Sequence, residues 1–224
     1  MTMPGPIPNR VALRPRDHRG FIVPWFVAWM KDGFEVDEGE GVPDFRVIAS
    51  NKLAIALNYR RCWICGEPMG QMVAYAIGPM CAATRTTSEP GNHRTCAEWA
   101  VKVCPFLSRP KMRRNEKALP DAMVPAAGDP IDRNPGVMAL WITKGQGHKP
   151  FRPHAGNPGV LLQLADPVEV TWWREGRPAT RAEVQESIDS GAPVLWAEAK
   201  REGPEAERDL VRCLGELACR LPHE

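Results

Sequence analysis

Five of the seven cysteines in this 224-residue chain fall within 43 residues, and a histidine lies among them. Cys62 and Cys65 belong to the segment CWICG, in which two thiolates two residues apart can bind one metal ion. Gly66 favours the left-handed backbone that turns amides toward the sulfurs. His93 and Cys96, in HRTC, are spaced to share one face of a helix's first turn. These four residues predict one tetrahedral zinc ion in a closed, structural site.

Two alternatives to this ligand set stay open. Cys81 follows a Gly-Pro turn signal and can replace His93 as the fourth ligand if the tip of a hairpin reaches the CxxC. The CxxC can also be a thiol-disulfide redox pair, which normally opens a helix after a strand. Here a predicted helix precedes the pair and a glycine follows it, which favours the metal. The remaining three cysteines are predicted to pack in the core, namely Cys104, Cys213 and Cys219.

A CxxCG knuckle, a hairpin predicted over residues 72–87 and a ligand-bearing helix over 93–103 together resemble a treble-clef zinc module. Asn92 is the predicted cap of that helix. The resemblance covers about residues 60–106. Treble clefs serve nucleic-acid binding, protein binding, nuclease scaffolds and purely structural roles. The fold alone therefore does not choose a function.

A longer pattern covers most of the chain. It includes CWICGEPMG, IGPMC, SEPGNHRTCAEWA and VKVCPFL, together with VPWFVAW near the start and WWREGRPATRAEV near the end. This pattern resembles that of a group of uncharacterised bacterial and prophage-associated proteins. The resemblance implies a phage or bacterial setting and supplies no mechanism.

The formal net charge is only +2, but basic residues are concentrated in the middle of the chain. Residues 60–117 contain ten basic and four acidic side chains, whereas residues 118–224 contain twelve and sixteen. Such an asymmetry can mark a surface that faces nucleic acid, but basic runs are more often solvated faces, with Arg and Lys stems covering a small core. The candidate nucleic-acid contacts are Arg60, Arg61, Arg94, Arg109, Lys111, Arg113 and Arg114.

No catalytic residue is predicted. An HNH-like nuclease needs a general-base histidine in the hairpin. Residues 66–92 contain no histidine, and the next one, His93, is assigned to the metal. The chain also contains no G-x-S-x-G, Walker, G-x-G-x-x-G or HExxH motif. One other segment is suited to hold a phosphate, the loop GQGHKPFRPHAG with His148 and His154.

The pattern of elements predicts an α+β protein, with a small front sheet and the embedded zinc module in residues 1–117. Apolar runs indicate strands at 21–29, 34–36, 45–48 and 72–77, and a helix at 50–60. Lys31-Asp32-Gly33 is a turn signal, so the first two strands are predicted to form a hairpin. A proline-rich linker is predicted at 118–136.

Residues 137–224 are predicted to place strands before helices. The strands are expected at 137–143, 160–164 and 168–173. Thr180 and Glu183 form a T-x-x-E capping box that opens a helix ending at Gly191, and a last amphipathic helix follows Pro204.

These features predict a non-enzymatic structural-zinc protein of phage or bacterial origin that acts through nucleic-acid or protein binding. The nucleic-acid contact is expected in residues 60–117, and zinc is expected to supply folding energy that a small module cannot gain by burial. The alternatives are an HNH-like or other metal-dependent nuclease or hydrolase, and an interaction protein that binds a host factor.

A cytoplasmic location without membrane contact is expected. The first residues contain no apolar segment of the kind found in secretion signals. The longest apolar run has ten residues and contains Pro24, against about 20 residues needed to cross a bilayer as a helix.

Overall fold

A computed structural model describes residues 5–110, 112, 134–153 and 159–223. These residues form antiparallel sheets and helices, which confirms the predicted α+β class. The elements follow in the order α1 (Asn9–Ala12), β1 (Val27–Lys31), β2 (Phe34–Val36), β3 (Val42–Ile48), α2 (Lys52–Asn58), β4 (Met72–Ile77), α3 (Pro79–Thr84), β5 (Thr86–Thr87), α4 (Arg94–Val103), α5 (Pro105–Ser108), β6 (Met138–Lys144), β7 (His148–Phe151), β8 (Leu161–Leu164), β9 (Glu169–Arg174), β10 (Arg177–Pro178), α6 (Arg181–Glu202) and α7 (Pro204–Ala218).

The largest sheet has four antiparallel strands in the order β10-β9-β6-β4. Strand β6 lies inside it, and its first six residues are all buried. Side chains alternate between the two faces of a strand, so a strand that is buried throughout must have both faces covered. On one face Trp141 joins the core formed with α3, α6 and α7. On the other face Leu140 and Ile142 pack with Ala97 and Val101 of α4.

The front of the chain forms a separate three-stranded sheet in the order β2-β1-β3. Asp32 and Gly33 both have positive φ, which is the backbone that a two-residue hairpin turn needs, so the predicted hairpin at this point is confirmed. The strand predicted at 21–29 is displaced, since β1 starts at Val27. Trp25 instead donates its backbone N–H to Ile64 and ties this segment to the CxxC loop.

The hairpin predicted over residues 72–87 is wrong. Strand β4 is present with the predicted bounds, but it pairs with β6, and the chain after it forms α3. Pro79 occupies the first helical turn, where its missing N–H costs nothing, and Met80, Ala82 and Ala83 are buried against the helical side of the core. Burial of these side chains therefore favours a helix here. Residues 72–87 therefore do not form the hairpin that a treble-clef module contains.

The chain on the two sides of the predicted linker folds together. Strands β4 and β6 pair along their length, and α3 packs against both α6 and α7. Of the linker at 118–136, only residues 134–136 belong to the described part of the chain. Beyond it the predicted order is confirmed, because strands β6 to β10 come before α6 and α7.

The capping box of α6 is present, since the Thr180 hydroxyl accepts from the Glu183 N–H and the Glu183 carboxylate accepts from the Thr180 N–H. The predicted end at Gly191 is wrong. The helix continues through Pro193 to Glu202, because α6 packs against α3 and α7 and this packing outweighs the low helix propensity of glycine. No helix in the described ranges has the length and apolar character needed to cross a membrane.

Candidate metal centre

The first two candidate ligands lie in a tight loop closed by a bridge between Arg61 and Pro68. Inside the loop, the Gly66 N–H donates to the Cys62 carbonyl at 2.8 Å. Gly66 has a φ of 80°, as the knuckle pattern predicts, and the Trp25 ring lies so close that a Cβ at this position would sit 2.5 Å from its Cδ1 atom. Only glycine fits both the backbone conformation and the ring contact. The loop can therefore adopt this geometry only with glycine at position 66.

The other two candidate ligands lie at the start of α4. His93 is the residue just before the first helical turn, and Cys96 follows on that turn. The predicted cap, Asn92, lies one residue earlier and has a different role. Its backbone exchanges two hydrogen bonds with Ala74 of β4, at 2.8 and 2.9 Å. Helix α4 is thus anchored to the central sheet next to its ligands.

The structure brings Cys62, Cys65, His93 and Cys96 together into a compact candidate metal site, with no disulfide between them. One ligand atom from each residue lies within 4.8 Å of the other three. The His93 Nδ1 atom is 3.4 Å from the Cys65 sulfur and 3.8 Å from the Cys96 sulfur. Ligands around a tetrahedral ion with metal-sulfur bonds of about 2.3 Å lie about 3.7 Å apart. The observed spacing therefore fits one tetrahedral metal ion.

The histidine ring is held in the orientation that metal binding needs. Its Nε2 atom lies 3.0 Å from the Pro68 carbonyl oxygen, which accepts the Nε2 proton. The lone pair of Nδ1 then points toward the three sulfurs. A carbonyl that orients a ligating histidine in this way is the usual supporting contact of metal sites. Sequence reasoning missed Pro68, because a backbone carbonyl leaves no signal in residue type.

Electrostatics of the three thiols also favour a cation. Burial disfavours a thiolate at Cys62, but hydrogen bonds from Cys65 and Cys96 and from the backbone N–H groups of Cys65 and His93 lower its pKa to about 3. Hydrogen bonding to Cys62 and Cys65, followed by burial, raises the pKa of Cys96. The hydrogen bonds within the cluster therefore favour ionisation of Cys62 and disfavour ionisation of Cys96 beside it. A divalent ion at the centre removes the repulsion between neighbouring thiolates and allows the thiols to ionise.

Cys81 is not a member of this group. It lies on α3, where it packs against the main core. Burial raises its pKa to about 11, so it remains a thiol at neutral pH. Of the cysteines predicted to be in the core, Cys104 and Cys213 are partly buried, whereas Cys219 is exposed. The core prediction is wrong for Cys219 because the last helical turn of α7 ends just before it.

The predicted nucleic-acid contacts are only partly described. Arg94 is fully engaged, since its guanidinium pairs with Glu98 and forms two bonds of 2.7 Å with Glu169 of β9. Arg60 donates to the Gly70 carbonyl, and Arg61 donates to the Gly66 carbonyl. Arg109 is exposed just after α5, and Lys111, Arg113 and Arg114 lie outside the described residues.

Comparison with protein-family models, with curated proteins and with solved structures gives no match for this chain.

Proposed function

We propose that the protein is a non-enzymatic binding protein whose fold is stabilised by one structural zinc ion. The observation that carries this proposal is the convergence of three cysteine sulfurs and one histidine nitrogen within 4.8 Å. Three thiolates and one imidazole form a donor set that suits zinc, and four protein ligands leave no position for a water or a substrate. Within the described residues this is also the one group of Cys, His, Asp and Glu that can hold a metal ion, which disfavours the hydrolase alternative.

The position of the site explains how zinc would stabilise the fold. The three cysteines are nearly inaccessible to solvent, and they belong to a small core with Val11, Ile22 and Trp99. This core is built from α1, the CxxC loop and α4, which are short elements that bury little area on their own. A metal ion that joins the loop to α4 links them to the central sheet.

Cobalt substitution tests whether the site is closed. The Co²⁺-loaded protein is expected to show the strong visible absorption of tetrahedral cobalt thiolates, and added azide is expected to leave that spectrum unchanged, because no coordination position is free. The Cys62→Ser variant is the control and should lose the spectrum. If azide changes the absorption of the wild type, the metal has an open position, and the hydrolase alternative becomes the better proposal.

We place nucleic acid first among the partners. The support is the excess of basic residues in 60–117, of which Arg94 is set aside because it is neutralised by acidic partners. We propose that the basic residues that follow α5 contact the phosphates of the nucleic-acid backbone, because the sequence contains no motif that reads bases. The bacterial or prophage setting is likewise a proposal, supported by the sequence resemblance alone.

Salt dependence of binding tests this contact. Affinity for a DNA or RNA duplex is expected to fall steeply with salt, and an Arg113→Gln, Arg114→Gln double variant should reduce the slope of log affinity against log salt by about 2. The charge-matched control replaces Lys200 and Arg208, which are exposed on α6 and α7. The proposal fails if binding is absent or insensitive to salt. A partner retained in high salt would instead indicate a protein, such as a host factor, bound through apolar contacts.

A further inference from the structure

A buried tyrosine-histidine pair joins two sheets at a distance from the metal centre in sequence. Tyr75, on β4 of the central sheet, is 1% exposed, and its hydroxyl is 2.7 Å from the Nδ1 atom of His148. His148 is the first residue of β7, which belongs to a second small sheet in the order β5-β8-β7. The two rings meet edge to face, with their centroids 6.1 Å apart. This contact therefore attaches β7 to the central sheet.

Strand β7 has few other attachments. In the part of the chain that the structure describes it pairs with β8 alone, so it is an edge strand. His148 is buried, whereas the three residues after it in β7 are exposed. One of these is Pro150, which has no N–H to donate to a neighbouring strand. A strand with a single buried side chain depends on the contacts of that side chain for its local stability.

The turn before β7 packs tightly around the tyrosine hydroxyl. A Cβ on Gly147 would lie 2.8 Å from the Tyr75 hydroxyl and 2.6 Å from the Thr143 hydroxyl, and Gly147 has a φ of 81°, which favours glycine. The Gly147 carbonyl accepts from the Ala165 N–H at 2.9 Å, just after β8. The hydroxyl is thus enclosed by backbone, which leaves little room for the contact with His148 to rearrange.

The hydrogen bond between the two rings requires a neutral histidine. Burial raises the pKa of Tyr75, so the hydroxyl keeps its proton and can donate it to Nδ1. An imidazolium has a proton on both ring nitrogens, so its Nδ1 atom no longer accepts a hydrogen bond. Protonation of His148 therefore removes this hydrogen bond and also places a charge in a buried position, which costs free energy.

The groups around His148 do not offset such a charge. Strand β4 contributes Tyr75, β8 contributes Leu164 as the strand partner, and residues 145–147 of the turn are uncharged. Within the described residues the charge that acts on the ring is that of Arg60, which is also positive. Burial first, and Arg60 second, lower the pKa of His148. The closed arrangement thus favours the neutral ring.

We infer that the contact between Tyr75 and His148 is a pH-sensitive switch, which holds β7 on the central sheet while the ring is neutral and releases the strand when the ring is protonated. In the released strand the ring is exposed to water and has the ordinary histidine pKa of about 6.5. The closed state is therefore fully favoured above about pH 6.5 and loses stability below it, by up to about tenfold per pH unit. The switch is independent of the metal centre and of the proposed partner.

Amide hydrogen exchange of the zinc-loaded chain, followed by NMR, tests the switch. The reporter is the Ala165 N–H, because its bond to Gly147 must break when β7 is released. Its protection factor, corrected for the intrinsic exchange rate, should fall by about 10- to 30-fold between about pH 7.5 and about pH 5.0. The control is the Ala179 N–H, which donates to the Trp172 carbonyl in the central sheet. Its protection factor should change by less than about twofold.

Three variants separate the titration of His148 from other effects of acid. His148→Gln cannot take up a proton, so its Ala165 protection should be the same at both pH values. His18→Gln changes an exposed histidine and should keep the pH dependence of the wild type. Tyr75→Phe removes the hydrogen bond but keeps the ring, so its Ala165 protection should fall by about fivefold at neutral pH.

Zinc content and circular dichroism are measured at both pH values for each protein. The wild type and His148→Gln have the same four metal ligands, so any effect of zinc loss appears in both. The inference is overturned if the Ala165 protection of the wild type does not change with pH, or if the Ala179 protection falls as much. It is also overturned if His148→Gln keeps the pH dependence, or if Tyr75→Phe leaves the protection at neutral pH unchanged.

Discussion

Replacement of Cys96 by serine is expected to abolish zinc binding and to lower the free energy of unfolding by more than about 3 kcal/mol. The Cys96 sulfur is 0% exposed and belongs to the core that joins the CxxC loop to α4. Its loss removes one of four ligands and leaves a buried hydroxyl among two thiols. Urea unfolding followed by tryptophan fluorescence measures the effect, because Trp63 and Trp99 both lie in or beside this region.

Cys81→Ser is the matched control for this prediction. Cys81 has the same chemistry, lies on α3 and takes no part in the metal group. We expect the Cys81→Ser variant to keep its zinc. Its free energy of unfolding should fall by about 1 kcal/mol, the usual cost of placing a hydroxyl in partly apolar surroundings. If the two variants unfold at the same urea concentration, the metal centre does not stabilise the protein and the account is wrong.

Replacement of Trp141 by alanine is expected to lower the free energy of unfolding by about 3–5 kcal/mol. Its side chain is 1% exposed in the middle of β6, and its Nε1 donates to the Ala165 carbonyl at 2.9 Å. The substitution leaves a large cavity and a carbonyl without its donor. Both the strand before the predicted linker, β4, and the strand after it, β9, pair with β6, so the whole central sheet should be weakened.

The control for Trp141 is Val211→Ala on α7. Val211 is 59% exposed, and truncation of an exposed side chain usually changes stability by less than about 0.5 kcal/mol. A single unfolding transition for both variants would agree with one shared core. If Trp141→Ala lowers the free energy of unfolding by less than about 1 kcal/mol, the packing of the central sheet does not determine the stability of the fold.

Local patterns predicted the two segments that form the candidate metal site. The backbone geometry of the CxxCG and HxxC segments is determined locally, because a left-handed glycine and a helix's first turn depend on a few neighbouring residues. The same is true of the Asp32-Gly33 turn and of the Thr180-Glu183 capping box, and the structure confirms each of them. These features depend on contacts between residues only a few positions apart.

Non-local pairing explains the errors. Met72 pairs with Lys144 in the central sheet, and a local pattern cannot distinguish such a partner from the next strand in a hairpin. The choice of His93 over Cys81 also depends on tertiary structure, since it is the anchoring of α4 to β4 that brings His93 to the sulfurs. The ion pair between Arg94 and Glu169 likewise joins residues that are far apart in the sequence. Charge counting could not show that this arginine is already neutralised.

The central claim is one structural zinc ion held by four named residues, and metal analysis of the purified protein tests it most directly. Protein prepared without chelator should contain one zinc ion per chain. That zinc should remain in Cys81→Ser and be lost in Cys62→Ser, Cys65→Ser, His93→Ala and Cys96→Ser. Wild-type protein that contains no metal, or the four ligand variants retaining zinc as fully as Cys81→Ser does, would contradict the account.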